Sequence, residues 1–143
     1  MASFATNEGA SRFAGGLDWT SASVIAARLV ASSASPNKDD TAMTGFTPIG
    51  TDQTLVQGNR VKTKDPTNDQ VKLRYTTTLT WTAVAGGSTV GWIAIYVEDA
   101  AADATRVPLF WIDVTDTATN GGNLTYTGPT VNGDTNVIGY TTQ

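Results

Sequence analysis

From Val71 to Ala83 the chain alternates without a break. Val71, Leu73, Tyr75, Thr77, Leu79, Trp81 and Ala83 fall on one side, and Lys72, Arg74, Thr76, Thr78, Thr80 and Thr82 on the other. Successive side chains of a strand point to opposite faces, so this run specifies a long strand with one buried face and one wet face. Such a strand needs neighbours to bond its backbone and a second layer to cover its apolar side.

Neighbours are easy to find. Val24 to Ala31 is short, apolar and partly β-branched, which favours a buried strand. Leu55, Val56 and Val61 around Gly58-Asn59 read as a strand with a bulge or tight turn. Thr89 to Glu98 is apolar on both faces and suits a central strand covered from two sides, by its own chain or by a partner. Arg106 to Val114 is a further strand, whose Pro108 lacks an N–H and marks an edge or bulge. Leu124 to Thr127 and Asn136 to Thr142 complete the set. Polar turns separate them at Ser32–Asp40, Lys64–Gln70, Gly86-Gly87, Gly121-Gly122 and Asn132-Gly133. The expected fold is all-β: a two-layer antiparallel β-sandwich, jelly-roll or immunoglobulin-like in strand order, over residues 20–143.

Composition narrows function by exclusion. The 143 residues suit one domain, and the chain has neither cysteine nor histidine. Disulfides, a Cys nucleophile, a Ser–His–Asp arrangement and a His-ligated zinc site are therefore impossible. Nine Lys and Arg against thirteen Asp and Glu give a net charge of −4, without a basic cluster, so neither nucleic acid nor an anionic membrane is expected as a partner. No apolar run reaches the ~20 residues that span a bilayer, and the first ten residues do not have the pattern of a signal peptide. The protein is expected in the cytoplasm where it is made.

No cofactor, metal or catalytic residue is expected. The pairs Asp39-Asp40 and Glu98-Asp99 each point to opposite sides if extended, and so are not ready acid–base dyads. Long-range pairing of Glu98 with Asp113 stays open. Asp113 to Gly121 is the best calcium-like stretch, yet it does not match an EF-hand loop and reads better as a self-bonded Asn/Gly turn. Trp81, Trp92 and Trp111 sit among apolar neighbours and are expected in the core, whereas a carbohydrate-binding module would need such rings exposed.

Met1 to Trp19 has no period, but it carries Phe4, Phe13, Leu17 and Trp19 among small polar residues. It reads either as a first strand plus loop or as an extended N-terminal arm lying on a neighbouring subunit. On the second reading those four residues are the candidate partner-binding set, and removing Met1–Trp19 should leave the β domain folded.

Taken in order, Val-Ile-Ala-Ala-Arg-Leu-Val, the Ser-Pro-Asn-Lys-Asp-Asp loop, Leu-Thr-Trp-Thr, Gly-Trp-Ile-Ala-Ile-Tyr, Pro-Leu-Phe-Trp-Ile-Asp and the closing Gly-Gly-Asn-Leu-Thr-Tyr-Thr resemble small virion structural proteins of tailed bacteriophages. The likeness is to β-sandwich proteins that decorate or cement the head. It runs from Val24 to the C-terminus, lies in pattern and composition, and transfers no individual functional residue. It implies a non-enzymatic capsid decoration protein on the virion surface that binds the major capsid protein, often as a homo-oligomeric trimer. A neck, tail or fibre-base component is the alternative of the same kind.

Overall fold

Two apolar runs, Ile25–Ala31 and Thr89–Glu98, lie side by side at the centre of a five-stranded sheet in the computed structural model, which describes residues 3–142. Met1, Ala2 and Gln143 lie outside the described residues, and with them the first two positions of the expected arm. In chain order the elements are β1 (Phe4–Ala5), α1 (Asn7–Ala14), β2 (Ile25–Ala31), β3 (Gln53–Thr54), a 3₁₀ turn (Gln57–Asn59), β4 (Arg60–Asp65) and β5 (Gln70–Tyr75). There follow β6 (Leu79–Trp81), β7 (Thr89–Glu98), β8 (Arg106–Ala118), β9 (Leu124–Tyr126) and β10 (Val137–Thr142). Pairing is antiparallel throughout, in the orders β1-β8-β7-β2-β3, β10-β5-β4 and β6-β9. The all-β layered architecture is the one expected.

One face of the large sheet meets the two smaller sheets. Ile25, Ala27 and Leu29 of β2 and Ile93, Ile95 and Val97 of β7 pack in one cluster with Leu73, Tyr75, Leu79, Trp81 and Ile138. The opposite face carries Ala26, Val30, Trp92, Ala94, Tyr96 and Trp111, and Met43, Phe46, Ala34 and Phe4 of the same chain cover it. That second cover explains why β7 is apolar on both faces. Phe46 and Trp111 meet with ring centroids 4.6 Å apart.

The expected single strand Val71–Ala83 is two strands. Leu73, Tyr75, Leu79 and Trp81 all face the core as the alternation requires, but Thr76, Thr77 and Thr78 are exposed. There the chain crosses from β5 in one sheet to β6 in another. A period of two reports which face is inward and is blind to which neighbour supplies the hydrogen bonds. Ala83 has a φ of 50° and ends the run, its N–H bonded to the Asn123 side chain at 3.0 Å. Pro108 sits at a register shift between β7 and β8, as its missing N–H suggested. A second shift lies at Gly91, where an added Cβ would stand 2.5 Å from the Ser32 backbone. Only glycine fits this crossing.

Residues 4–19 do not form an extended arm. Phe4 and Ala5 pair with Trp111 and Phe110 of β8, and the chain then turns into α1. Thr6 caps that helix through the Gly9 N–H at 2.8 Å and donates its hydroxyl to the Pro108 carbonyl. Gly9 lies so close to β8 that a Cβ would fall 2.6 Å from the Leu109 carbonyl oxygen, so the helix rests on the sheet. The local signals were a Thr cap, Glu8 in the first turn, and Arg12 four residues on, 3.3 Å from it.

Candidate functional site

The four residues expected to bind a partner are distributed over the domain itself. Phe4 is half-buried, edge-on to Trp92 at 6.2 Å. Phe13 lies 5.9 Å from Phe110, and Leu17 packs against the main core. Trp19 is 0% exposed, and its indole N–H donates to the Arg74 carbonyl at 2.9 Å. In this conformation they are mainly internal packing. Phe4 alone borders a surface cleft, of about 210 Å³, with Ser3, Ile138 and Tyr140.

Two charged clusters brace the fold. On the outer face of the large sheet, Arg28 of β2 is 1% exposed. It donates to both oxygens of Asp52 and of Asp103 at 2.8–3.1 Å and to the Phe46 carbonyl at 2.9 Å. Its guanidinium and that of Arg106 lie 5.5 and 5.6 Å from the Tyr96 ring centre. The Tyr96 hydroxyl donates to Asp52 at 2.7 Å. Burial, then that carboxylate, pushes the phenol well above its ordinary range. Arg28 thus ties the segment between β2 and β3, and the β7–β8 connection, to the sheet.

The second cluster centres on Lys72 of β5, whose ammonium lies 2.9 Å from Asp134, 3.1 Å from Asp65 and 3.5 Å from the Asn132 carbonyl. The side-chain amides of Asn68 and Asn132 complete the shell of Asp65. Donation from Asn68, then from Lys72, holds the Asp65 carboxyl far below its ordinary range. Asp103 is lowered chiefly by Arg28, and Asp18 to about 2 by Lys62 and Thr20.

A carboxyl whose folded pKa is depressed contributes stability that is complete above its unfolded value and lost as pH falls through the folded one. Urea midpoints are therefore expected to fall steeply below about pH 4. Asp65→Asn should begin with a lower midpoint at neutral pH, lose less on acidification, and converge toward the parent near the acid end. Parallel curves for the two proteins would show that Asp65 does not contribute to the acid sensitivity.

Between the sheets a cleft of about 220 Å³ opens at one side of the sandwich. Leu29, Ile93 and Trp81 form its floor. Thr115 and Thr117 of β8 make one rim, and Leu124 and Tyr126 of β9 the other. The Trp81 indole N–H is buried and has no acceptor among the described residues.

The catalytic and sugar-binding alternatives find little geometry. All four Trp are at most 5% exposed, as expected for Trp81, Trp92 and Trp111, so none offers an open stacking platform. Glu98 is opposite Arg106 and Asp113 opposite Trp92. At about 3.3 Å per residue that separates the two carboxyls by roughly 20 Å, beyond the ~10 Å of a glycosidase pair. Asp113 and Asp116 stand in β8 and not in a loop. Ser35 and Lys38 have Ser-x-x-Lys spacing, but they lie exposed on a non-helical segment and share no helical face. Among the described residues no three carboxylates gather as metal ligands, and no helix is long and apolar enough to cross a membrane.

The fold defines the class: an antiparallel β-sandwich domain, braced internally by two charged clusters. Comparison with protein-family models, curated proteins and solved structures returned no match to this chain.

Proposed function

We propose that the chain is a non-enzymatic virion structural protein that decorates the head of a tailed bacteriophage, binding the major capsid protein at the outer surface. The order of its segments resembles such proteins, and one observation supports the role physically. Both faces of the five-stranded sheet are covered by the chain itself, and the outer cover is held by the Arg28 cluster. The domain is thus a rigid brick without disulfides, and its remaining contact capacity lies at its edges and clefts. Repeated, load-sharing contact on a shell demands rigidity and a surface more than chemistry. A homo-oligomer, a trimer by the same resemblance, would cover exposed edges by closing symmetrically.

Purified particles test this reading. The protein is expected on them at a copy number comparable with the capsid lattice. Particles stripped of it should release DNA at a lower temperature and recover when it is added back. A few copies per particle would assign it to the neck, tail or fibre base instead, and absence from particles would overturn the proposal.

A further inference from the structure

The geometry points to Asn132 as a site of spontaneous deamidation, whose conversion to aspartate or isoaspartate loosens the brace around Lys72. The fold holds the two Asn-Gly steps of this chain differently, and nothing in that difference depends on the decoration role.

Asparagine before glycine is the step most open to this reaction, because glycine has no side chain to keep its nitrogen away from the neighbouring amide. The chain has two such steps, Asn120-Gly121 and Asn132-Gly133, and both asparagines are exposed to water. The glycine main-chain nitrogen gives up its proton and attacks the Asn Cγ. The Cγ–Nδ2 bond breaks, Nδ2 leaves as ammonia, and a succinimide ring remains. Water then opens the ring at either carbonyl. One opening gives aspartate, and the other gives isoaspartate, in which the main chain runs through Cβ. Water is the only co-reactant.

Asn120 is clamped against this chemistry. The Gly121 N–H, which would have to attack, donates to the Val84 carbonyl at 2.8 Å, and the Val84 N–H donates back to the Gly122 carbonyl at 2.9 Å. Val84 itself is buried. The Asn120 side-chain oxygen accepts from the Gly122 N–H at 3.0 Å. Attack here must first break the bond on the attacking nitrogen and pull the turn off a core residue.

At the second step the attacking group is free: the Gly133 N–H makes no hydrogen bond among the described residues. Asn132 and Gly133, with φ of 48° and 84°, form the middle of a two-residue turn. The mutual backbone bonds of Val131 and Asp134, at 2.8 and 3.1 Å, close it, and Lys72 lies 3.5 Å from the Asn132 carbonyl. That bridge stands outside every named strand. The turn must open for the attack, and opening an isolated bridge is a smaller event than detaching a turn from the core.

The product bears directly on the brace. The Asn132 amide donates to Asp65 at 3.3 Å. A carboxylate at this position removes that donor and sets a third negative group beside Asp65 and Asp134, with Lys72 and Arg74 as the cations facing them. Like charges at such range repel. Isoaspartate also lengthens the main chain inside a turn whose length fixes the Val131–Asp134 pairing.

The test incubates the full chain in mildly alkaline buffer, folded and in denaturing urea, and locates the amide-to-acid mass gain by fragment-ion mass spectrometry. In the folded chain Asn132 is expected to convert several-fold faster than Asn120, and in urea the two should convert at nearly the same rate. The converted fraction should unfold at a lower urea concentration than fresh protein, as should Asn132→Asp. Asn132→Gly suits the left-handed turn and has no amide to lose, so its own midpoint should hold through the incubation. Faster conversion at Asn120 in the folded chain, or the same ratio of rates folded and unfolded, would overturn the assignment of the site. So would an Asn132 that stays intact while the unfolded chain converts. Conversion at Asn132 that leaves the midpoint unchanged would overturn its effect on the brace.

Discussion

Arg28→Ala is expected to destabilise the domain by about 3–5 kcal/mol, the usual cost of breaking a buried ion pair from one side. The reason is what remains behind. Asp52, bonded by three of the six Arg28 contacts, would keep only the Tyr96 hydroxyl as a donor, and the Phe46 carbonyl would lose its partner. Asp103 would retain Arg106 at 2.9 Å. The segment carrying Met43 and Phe46 would then be held over Ala26, Trp92 and Trp111 by apolar contact and by backbone bonds such as those of the Met43 N–H to the Arg106 and Asp103 carbonyls. Arg12→Ala is the comparison. Arg12 bonds Glu8 and Asp99 with side chains a third or more exposed, so its loss should cost less than about 1 kcal/mol. Urea unfolding of both variants at neutral pH measures the difference. Equal midpoints would mean that the outer cover is held by packing and that the arginine cluster adds nothing.

Trp19→Ala should cost about 3–5 kcal/mol as well, through the cavity left by a fully buried ring. The Arg74 carbonyl would also lose its indole donor. Deleting Met1–Trp19 goes further, since it removes β1, α1, Phe13, Leu17 and Trp19 together. The structure therefore predicts that the truncated chain loses its cooperative unfolding transition, in place of the intact β domain expected from a free arm. Circular dichroism and urea melts of Trp19→Ala, Trp19→Phe and the deletion separate these outcomes. A truncated chain that melts like the parent would restore the arm. Any loss of particle binding by the deletion is interpretable only alongside that melt.

Much of the fold was legible in the sequence because strand signals are local. Alternation, β-branched runs and turn residues placed β2, β7, β9 and β10 within a residue or two of their observed bounds, and marked the irregularity at Pro108. The same signals joined β5 to β6, since the inward face continues across Thr76–Thr78 while the pairing partner changes. At the N-terminus, aromatic residues in a polar segment suggested an outside partner. Their real partners were β8, Phe110 and Arg74, the nearest of them 55 residues along the chain.

By itself, then, the sequence determined the class of fold, the burial of Trp81, Trp92 and Trp111 and the absence of Cys and His chemistry, because each follows from residue identity or from a period of two. Only the tertiary structure decided which sheet each strand joined, and that Arg28 and Lys72 became internal braces. Those features depend on groups brought together over long chain separations, 75 residues for Arg28 and Asp103 and 62 for Lys72 and Asp134. Local pattern is silent about pairings of that range, since they are chosen by the joint packing of both layers.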